Sequence, residues 1–241
     1  MPHLVGALDE IERYLVGREF SPNLLVRFEK QAAVRYRNDV LVELSRGRHV
    51  LHVGCCDHVP LIRQKMAHGD WLHQQLNEVA SSVLGVDISG TALDEAKKIS
   101  GLVNMIEGDV ASRSIVPEIS AREFDIAIFG EVLEHIGNPV DFLRIFLRNY
   151  GRQTGCVVIT VPNAFRGGNI LNTFRNREAI NSDHRFFFTP YTLLKVAVDA
   201  GLRPLSMETA SFTRVTSRIK QSILNRWPLL AEDLILIAET D

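Results

Sequence analysis

The sequence has few of the features that mark secreted, membrane-spanning or polyanion-binding proteins. Only three of its 241 residues are cysteine, without metal-finger spacing, so we expect reduced thiols and a cytoplasmic location. No apolar run approaches the ~20 residues that span a bilayer, and from Met1-Pro2-His3-Leu4 we expect no signal peptide. The formal net charge of −2 argues against a general nucleic-acid-binding surface.

One stretch, His49–Cys56, combines an apolar run with an abrupt end. Val50, Leu51 and Val53 suit a buried parallel strand, and Gly54 marks a place where the backbone turns tightly. A second apolar run closes on Asp87 about thirty residues later. A glycine-ended strand followed by an acid-ended strand is typical of nucleotide-binding α/β sheets. The pair predicts a cofactor that contains adenosine, with Asp87 accepting hydrogen bonds from the ribose hydroxyls.

Strand and helix patterns alternate along the rest of the chain. Apolar runs predict strands at 50–54, 83–88, 103–109, 124–129, 157–161, 202–208 and 234–239. Helical spacing predicts helices at 60–80 (divided at Gly69), 91–99, 139–149 and 190–199, and two more within 7–45, on either side of Ser21-Pro22-Asn23. This alternation requires a parallel sheet with helices on both faces. The last two strands, with no helix predicted between them, favour an antiparallel hairpin.

The order of the motifs resembles the class I S-adenosylmethionine (SAM)-dependent methyltransferases. The residues that carry the resemblance are Val50–Cys55, Gly85–Ser89, Glu107–Val110, Phe124–Ile136 and Val158–Asn163. No single motif is decisive, but all of them occur in order at suitable spacing. The resemblance implies an α/β, Rossmann-like class I methyltransferase fold. It has a mostly parallel seven-stranded sheet, helices on both faces and an antiparallel last strand.

The resemblance also implies which residues contact SAM and its product S-adenosylhomocysteine. Asp87 would take the ribose hydroxyls, and Asp109 the adenine amino group, although helix capping is an alternative for both carboxylates. Ile88 would pack on the adenine. The cofactor-binding set is Gly54, Cys55, Cys56, Asp87, Ile88, Asp109, Val110 and Gly130.

The first turn departs from the family pattern. The usual acid-x-Gly-x-Gly-x-Gly reads His52-Val-Gly-Cys-Cys-Asp-His58 here, so cysteine and histidine replace two glycines. We therefore expect a reshaped turn with altered contacts to the methionyl end of SAM. A non-catalytic binding protein is the alternative. The segment that follows is about ten residues longer than expected and carries Trp71-Leu72-His73.

A second group of residues predicts the acceptor side of the site. Glu131, Glu134 and His135 have the spacing of one face of a helical turn, and His184 lies in the later insertion. We assign His135, His184 and Glu131 as catalytic, with a histidine as general base for a hydroxyl. The alternative resembles the small-RNA 3′-terminal 2′-O-methyltransferases, in which such a set would bind a divalent metal. We expect no metal; Glu131, Glu134, His135 and His184 are the candidates if one binds.

These assignments lead to a domain plan and a function. We expect one methyltransferase domain over 1–241, with a helical cap (1–45), a cofactor-binding core (46–162), an insertion or lid (163–188) and a C-terminal helix with strands (189–241). Arg35-Tyr36-Arg37 in the cap either leans over the cofactor or forms a solvated face. We expect methyl transfer to a small molecule, at a hydroxyl of a sugar or secondary metabolite. RNA is the less favoured acceptor, and a homodimer is left open.

Overall fold

The computed structural model describes residues 8–28 and 31–240, in which one sheet contains eight strands. They are β1 (Arg35–Tyr36), β2 (His49–Val53), β3 (Ser82–Asp87), β4 (Met105–Glu107), β5 (Ile126–Gly130), β6 (Cys156–Pro162), β7 (Leu202–Ser211) and β8 (Asp233–Thr240). The helices of four or more residues are α1 (Leu8–Leu15), α2 (Arg37–Ser45), α3 (Val59–Ala67), α4 (Leu72–Val79), α5 (Gly90–Ser100), α6 (Pro117–Ser120), α7 (Pro139–Tyr150), α8 (Gly167–Thr173), α9 (Pro190–Ala200) and α10 (Arg218–Arg226).

The strand order is β1-β7-β8-β6-β5-β2-β3-β4, and every pair is parallel except the two that involve β8. The mostly parallel sheet and its antiparallel last strand are therefore confirmed. Strand order reverses between β2 and β5, which lie side by side in the middle of the sheet. Ligands of open α/β sheets bind at such a switch point, beyond the carboxyl ends of the strands.

Helices cover both faces of the sheet, as predicted. On one face, α2 and α4 bury Leu41 and Leu76 against the strands. On the other face, α7 and α9 bury Phe146 and Leu193 in the larger core. The predicted division of residues 60–80 is confirmed, because α3 ends before Gly69 (φ 67°) and α4 begins at Leu72.

The N-terminal segment differs from the two helices predicted there. Residue 7 lies outside the described residues, α1 ends at Leu15, and helix returns only at Arg37. Gln31, Arg35 and Tyr36 lie along the edge of β7 instead. The Gln31 side chain donates to the Thr209 carbonyl (3.0 Å) and accepts from its N–H (2.9 Å), as a neighbouring strand would. β1 then pairs with β7 and adds the eighth strand.

The connection between β7 and β8 also differs from the prediction. The two strands pair antiparallel, but α10 lies between them, so the predicted absence of a helix there is wrong. Ser217 caps the N-terminus of α10 by accepting the Lys220 N–H. Leu224 is the buried residue of this helix. A helix that buries so little has only a narrow apolar stripe in its sequence, and the pattern therefore does not predict it.

Gly85 lies where the central strands meet the layer that contains α4. It pairs with His52 on one side and Met105 on the other. A Cβ at this position would lie 2.7 Å from His73 Cε1, 2.8 Å from Cys55 Sγ and 2.9 Å from Met105 Cγ. The side chains of His73, Cys55 and Met105 therefore occupy the space that a side chain at Gly85 would need.

We expect Gly85→Ala to lower the free energy of unfolding by about 1–3 kcal/mol, the usual cost of adding a methyl group to a filled core. Gly168→Ala is the matched control, because nothing lies within 4 Å of a Cβ there. The control should be neutral or slightly stabilising, since alanine favours helix over glycine. Urea unfolding of both variants measures the difference. Equal midpoints for the two variants would contradict this account of β3.

Candidate functional site

The bend after β2 depends on Gly54. Its φ is 68°, and its N–H donates to the Val86 carbonyl of β3 (2.8 Å). A Cβ at this position would lie 2.6 Å from Val132 Cγ2, in the loop that follows β5. Cys56 and His58 both have ordinary negative φ, so they replace the family's glycines without left-handed backbone. His58 precedes α3 and is mostly exposed, so it does not fill the bend.

Asp87 joins this bend to the end of β3. One carboxylate oxygen accepts the Cys56 N–H (2.9 Å), and the other accepts the Ser89 N–H (3.0 Å). Burial raises the pKa of the Asp87 carboxyl, and the two N–H donors oppose that rise. The alternative of helix capping does not describe Asp87, because Ser89 caps α5 by accepting the Ala92 N–H. Each oxygen of Asp87 retains a lone pair for a further donor.

The rest of the predicted cofactor set lines the same cavity, which measures about 1370 Å³. Asp109 accepts the Ala111 N–H (2.9 Å) in a short turn, well before the next helix, so capping does not describe it either. The Ile88 side chain is 76% exposed and lies beside Asp87 at the cavity wall. The eight predicted residues that meet at this cavity are Gly54, Cys55, Cys56, Asp87, Ile88, Asp109, Val110 and Gly130.

Strand β5 ends in an unusual backbone conformation. Glu131 has φ 57°, and a 3₁₀ turn follows at Leu133–His135. The prediction that Glu131 and Glu134 share one face of a helical turn is therefore wrong, because Glu131 has left-handed backbone and lies outside the 3₁₀ turn. The Glu131 carboxylate accepts from the Thr160 hydroxyl (3.0 Å) instead.

Glu134, His135 and His184 do come together. The Glu134 side chain is fully buried, and neither carboxylate oxygen has a hydrogen-bond partner among the described residues. His135 Nε2 lies 4.0 Å and His184 Nε2 3.9 Å from Glu134 Oε1. The insertion is tied to this loop, since the Arg185 N–H donates to the Glu134 carbonyl (2.7 Å). These side chains belong to the same cavity as Asp87.

Burial sets the protonation of this group. It raises the pKa of Glu134 to about 9, with a further contribution from the charge of Glu131. Burial lowers the pKa of His184, and the neighbouring His135 adds to the effect. At neutral pH, Glu134 therefore carries a proton and His184 is neutral in the described structure. A neutral histidine beside a protonated carboxyl, as at His184 and Glu134, is an arrangement that can carry out general acid–base catalysis.

Three of the four candidate metal ligands, Glu134, His135 and His184, have donor atoms close enough to share one ion. The donor atoms of Glu134, His135 and His184 all lie within 4.8 Å of one another. Carboxylate oxygens and neutral imidazoles are ligands of divalent metals, and an unpartnered buried carboxylate gains most from a cation. These three residues fit a divalent ion, whereas Glu131 is engaged elsewhere.

The partner of Glu131 is Arg37, which the sequence left either over the cofactor or on a solvated face. The Arg37 side chain is 8% exposed, with NH1 3.1 Å from Glu131 and 3.8 Å from Asp233 of β8. Its guanidinium stacks on Phe212, 4.9 Å from the ring centroid. Arg37 is thus a buried residue of the site rather than part of a solvated face. Asp233 is a site residue that sequence reasoning missed, because only the pairing of β8 brings it near Arg37.

Trp71, Leu72 and His73 are buried, and Trp71 and Leu72 also line the cavity. Trp71 is 1% exposed and His73 fully buried. His73 Nδ1 lies 3.2 Å from Nδ1 of His52, the residue that replaces the family's first acid. Burial and this neighbour lower the pKa of His52 well below its usual value. The two histidines therefore pack as neutral rings.

Comparisons with known proteins agree with this geometry. Residues 68–152 match a family described as a methyltransferase domain. No curated protein matches the chain. The solved structure of the small RNA methyltransferase HEN1 superposes with a TM-score of 0.57 at 16% identity, over 88% of this chain and 27% of HEN1.

Two further solved structures match most of both chains. A putative methyltransferase from Bacillus halodurans C-125 has a TM-score of 0.55 at 13% identity, over 85% of this chain and 98% of the other. Magnesium protoporphyrin IX methyltransferase from Synechocystis PCC 6803, solved with S-adenosylhomocysteine, has a TM-score of 0.52 at 17% identity, over 85% and 82%. Residues 68–152 thus match a methyltransferase domain, and the Rossmann-like sheet of this chain has the fold of the class I SAM-dependent methyltransferases.

Proposed function

We propose that the protein transfers the methyl group of SAM to a hydroxyl of a small-molecule acceptor, such as a sugar or secondary metabolite. The observation that carries this proposal is the buried, unpartnered Glu134 carboxyl between His135 and His184, in the cavity that also contains Asp87. A hydroxyl must lose its proton during methyl transfer, and these side chains offer a place for that proton.

The cofactor side of the cavity fits SAM by its donors and acceptors. Asp87 has free lone pairs for a ribose diol, and exposed Ile88 offers an apolar contact to an adenine ring. SAM supplies an electrophilic methyl group when bound. The backbone near Gly54 and the end of β5 would orient that group toward the acceptor, and orientation supplies most of the rate in such a reaction.

On the acceptor side, we assign the proton transfer to His135 or His184. His184 is held neutral by burial, which leaves a ring nitrogen able to accept a proton. Glu131 is a positioning residue in this proposal, because Thr160 and Arg37 occupy its carboxylate. This revises its predicted catalytic role. The near-neutral net charge of the chain favours a small acceptor over a polyanion.

A second candidate is metal-assisted 2′-O-methylation of an RNA 3′ end. The carboxylate and two imidazoles of Glu134, His135 and His184 favour it, as does the structural likeness to HEN1. A divalent ion there would lower the pKa of the acceptor hydroxyl. None of the described helices is long and apolar enough to cross a bilayer.

Asp87→Ala should weaken SAM binding by tenfold or more, because it removes the acceptor for paired hydrogen bonds. Asp94→Ala, in exposed α5 sequence a few residues later, is the matched control and should bind SAM like the natural chain. Titration calorimetry measures both affinities. Unchanged SAM binding by Asp87→Ala would exclude the proposed ribose contact, and no SAM binding by the natural chain would favour a non-catalytic protein.

His135→Ala and His184→Ala should each cut turnover at least tenfold and leave SAM affinity nearly unchanged, because both side chains lie on the acceptor side. His49→Ala, at the opposite end of β2, is the control. Turnover is measured as S-adenosylhomocysteine release, with and without a chelator. Loss of activity on chelation, with recovery on adding a divalent metal, favours the second candidate. Full activity of both histidine variants would refute the assignment.

Glu134→Gln should stabilise the protein while reducing turnover. The unfolded carboxyl releases its proton near its usual pKa of 4.5, but the folded one holds it to about 9, so natural stability falls as pH rises between these values. Glutamine does not titrate, so the free energy of unfolding of Glu134→Gln should not fall in this way. Its excess over that of the natural chain should therefore grow by at least about 1.4 kcal/mol across that range, the equivalent of one pKa unit. Urea unfolding at pH 5 and pH 8 measures it, with exposed Glu118→Gln as control. A gain that does not change with pH would contradict the buried-acid interpretation.

A further inference from the structure

Two cysteines follow the bend and contact the proposed ribose-binding carboxylate. Their sulfur atoms lie 3.9 Å apart. The two sulfurs and one Asp87 oxygen all lie within 4.8 Å of one another. Cys55 is buried, at 2% exposure, whereas Cys56 is partly exposed, and both line the cavity. No step of the proposed methyl transfer uses either thiol.

The spacing of these atoms matches a metal centre. Two thiolates at 2.3 Å from a tetrahedral zinc ion lie about 3.8 Å from each other, close to the 3.9 Å observed here. A carboxylate oxygen is a normal third ligand of such a site. The three donors therefore lie close enough together to surround one ion, and all three residues line the cavity.

The backbone holds these donors in place. The Cys56 N–H donates to one Asp87 oxygen, and the Cys55 N–H donates to the Val86 carbonyl (3.3 Å), so the bend is pinned to β3. Cys55 Sγ also packs against Gly85, where a Cβ would lie 2.8 Å away. Both thiols are thus fixed on one side of Asp87 before any ligand arrives.

We propose that Cys55, Cys56 and Asp87 form a site for a thiophilic divalent cation, Zn²⁺ or Cd²⁺, that competes with SAM. On binding, two metal–sulfur bonds form, the two thiol protons go to solvent, and no atom changes its oxidation state. Competition arises because Asp87 would be needed by both ligands. That second part rests on the proposed role of Asp87 in cofactor binding.

The Glu134, His135 and His184 group is a separate site with different chemistry. Its oxygen and nitrogen donors suit harder cations, whereas paired thiolates select soft ones. A ligand-to-metal absorption band in the ultraviolet reports thiolate binding alone, so it separates the two sites.

The test is a Cd²⁺ titration of the full chain, kept reduced by a phosphine and followed by the thiolate–Cd²⁺ absorption band. We expect the band to saturate at one equivalent. Cys56→Ser, at the partly exposed position, should weaken Cd²⁺ binding at least tenfold. Cys156→Ser changes the remaining cysteine, in β6, and should behave like the natural chain. No band, or a band unaffected by Cys56→Ser, would overturn the site.

Competition is measured by repeating the titration with saturating SAM. The Cd²⁺ concentration at half-saturation should rise at least tenfold, and Cd²⁺ should weaken SAM binding in return. If calorimetry shows that SAM is bound and the Cd²⁺ concentration at half-saturation is unchanged, the competition is overturned. A chain that gives the thiolate band but binds no SAM would instead overturn the proposed function, so the two failures are distinguishable.

Discussion

The bend at Gly54 is the constraint on which the rest of the site depends. Its left-handed backbone places Val132 against the missing side chain, so the end of β2 and the loop after β5 are in direct contact. The same bend sends the Cys56 N–H to Asp87 at the end of β3. Three parallel strands therefore end in a fixed relation at one cavity, which is lined by both Asp87 and Glu134. A larger residue there would have to push the two sides apart.

Around this bend the protein accumulates buried charged groups that a stable core would avoid. The Glu134 carboxyl has no hydrogen-bond partner within residues 8–28 and 31–240, and Arg37 is buried beside Glu131 and Asp233. Such groups cost free energy unless they are paired or carry a proton, which is why they concentrate at functional sites. Arg37 has a further consequence. By holding the Glu131 carboxylate, it ties the N-terminal segment to the left-handed residue that ends β5, so this segment completes the site.

The parts of the fold that sequence predicts are those decided by neighbours in the chain. The apolar runs of β2 and β3, the turn at Gly54 and the acid at Asp87 all follow from local pattern, and the structure has each of them. Distant contacts decide the rest. Nothing near Gln31 indicates that its amide pairs with Thr209, so a helical pattern there is misleading. The left-handed conformation of Glu131 is equally unreadable, because a glutamate rarely adopts it.

The turn after β2 shows how residues that replace glycines of a family pattern can add reactive side chains to a site. Glycine is required where φ is positive, and in this turn that condition holds only at Gly54. Cys56 and His58, at the other two glycine positions of the family pattern, have ordinary backbone, so their side chains cause no backbone strain. Cys55 and Cys56 place two thiols beside Asp87, the carboxylate that we assign to the ribose. The cofactor and a soft cation would therefore compete for the same carboxylate. A bound cofactor would then shield the thiols, and the free protein would be the form sensitive to metal.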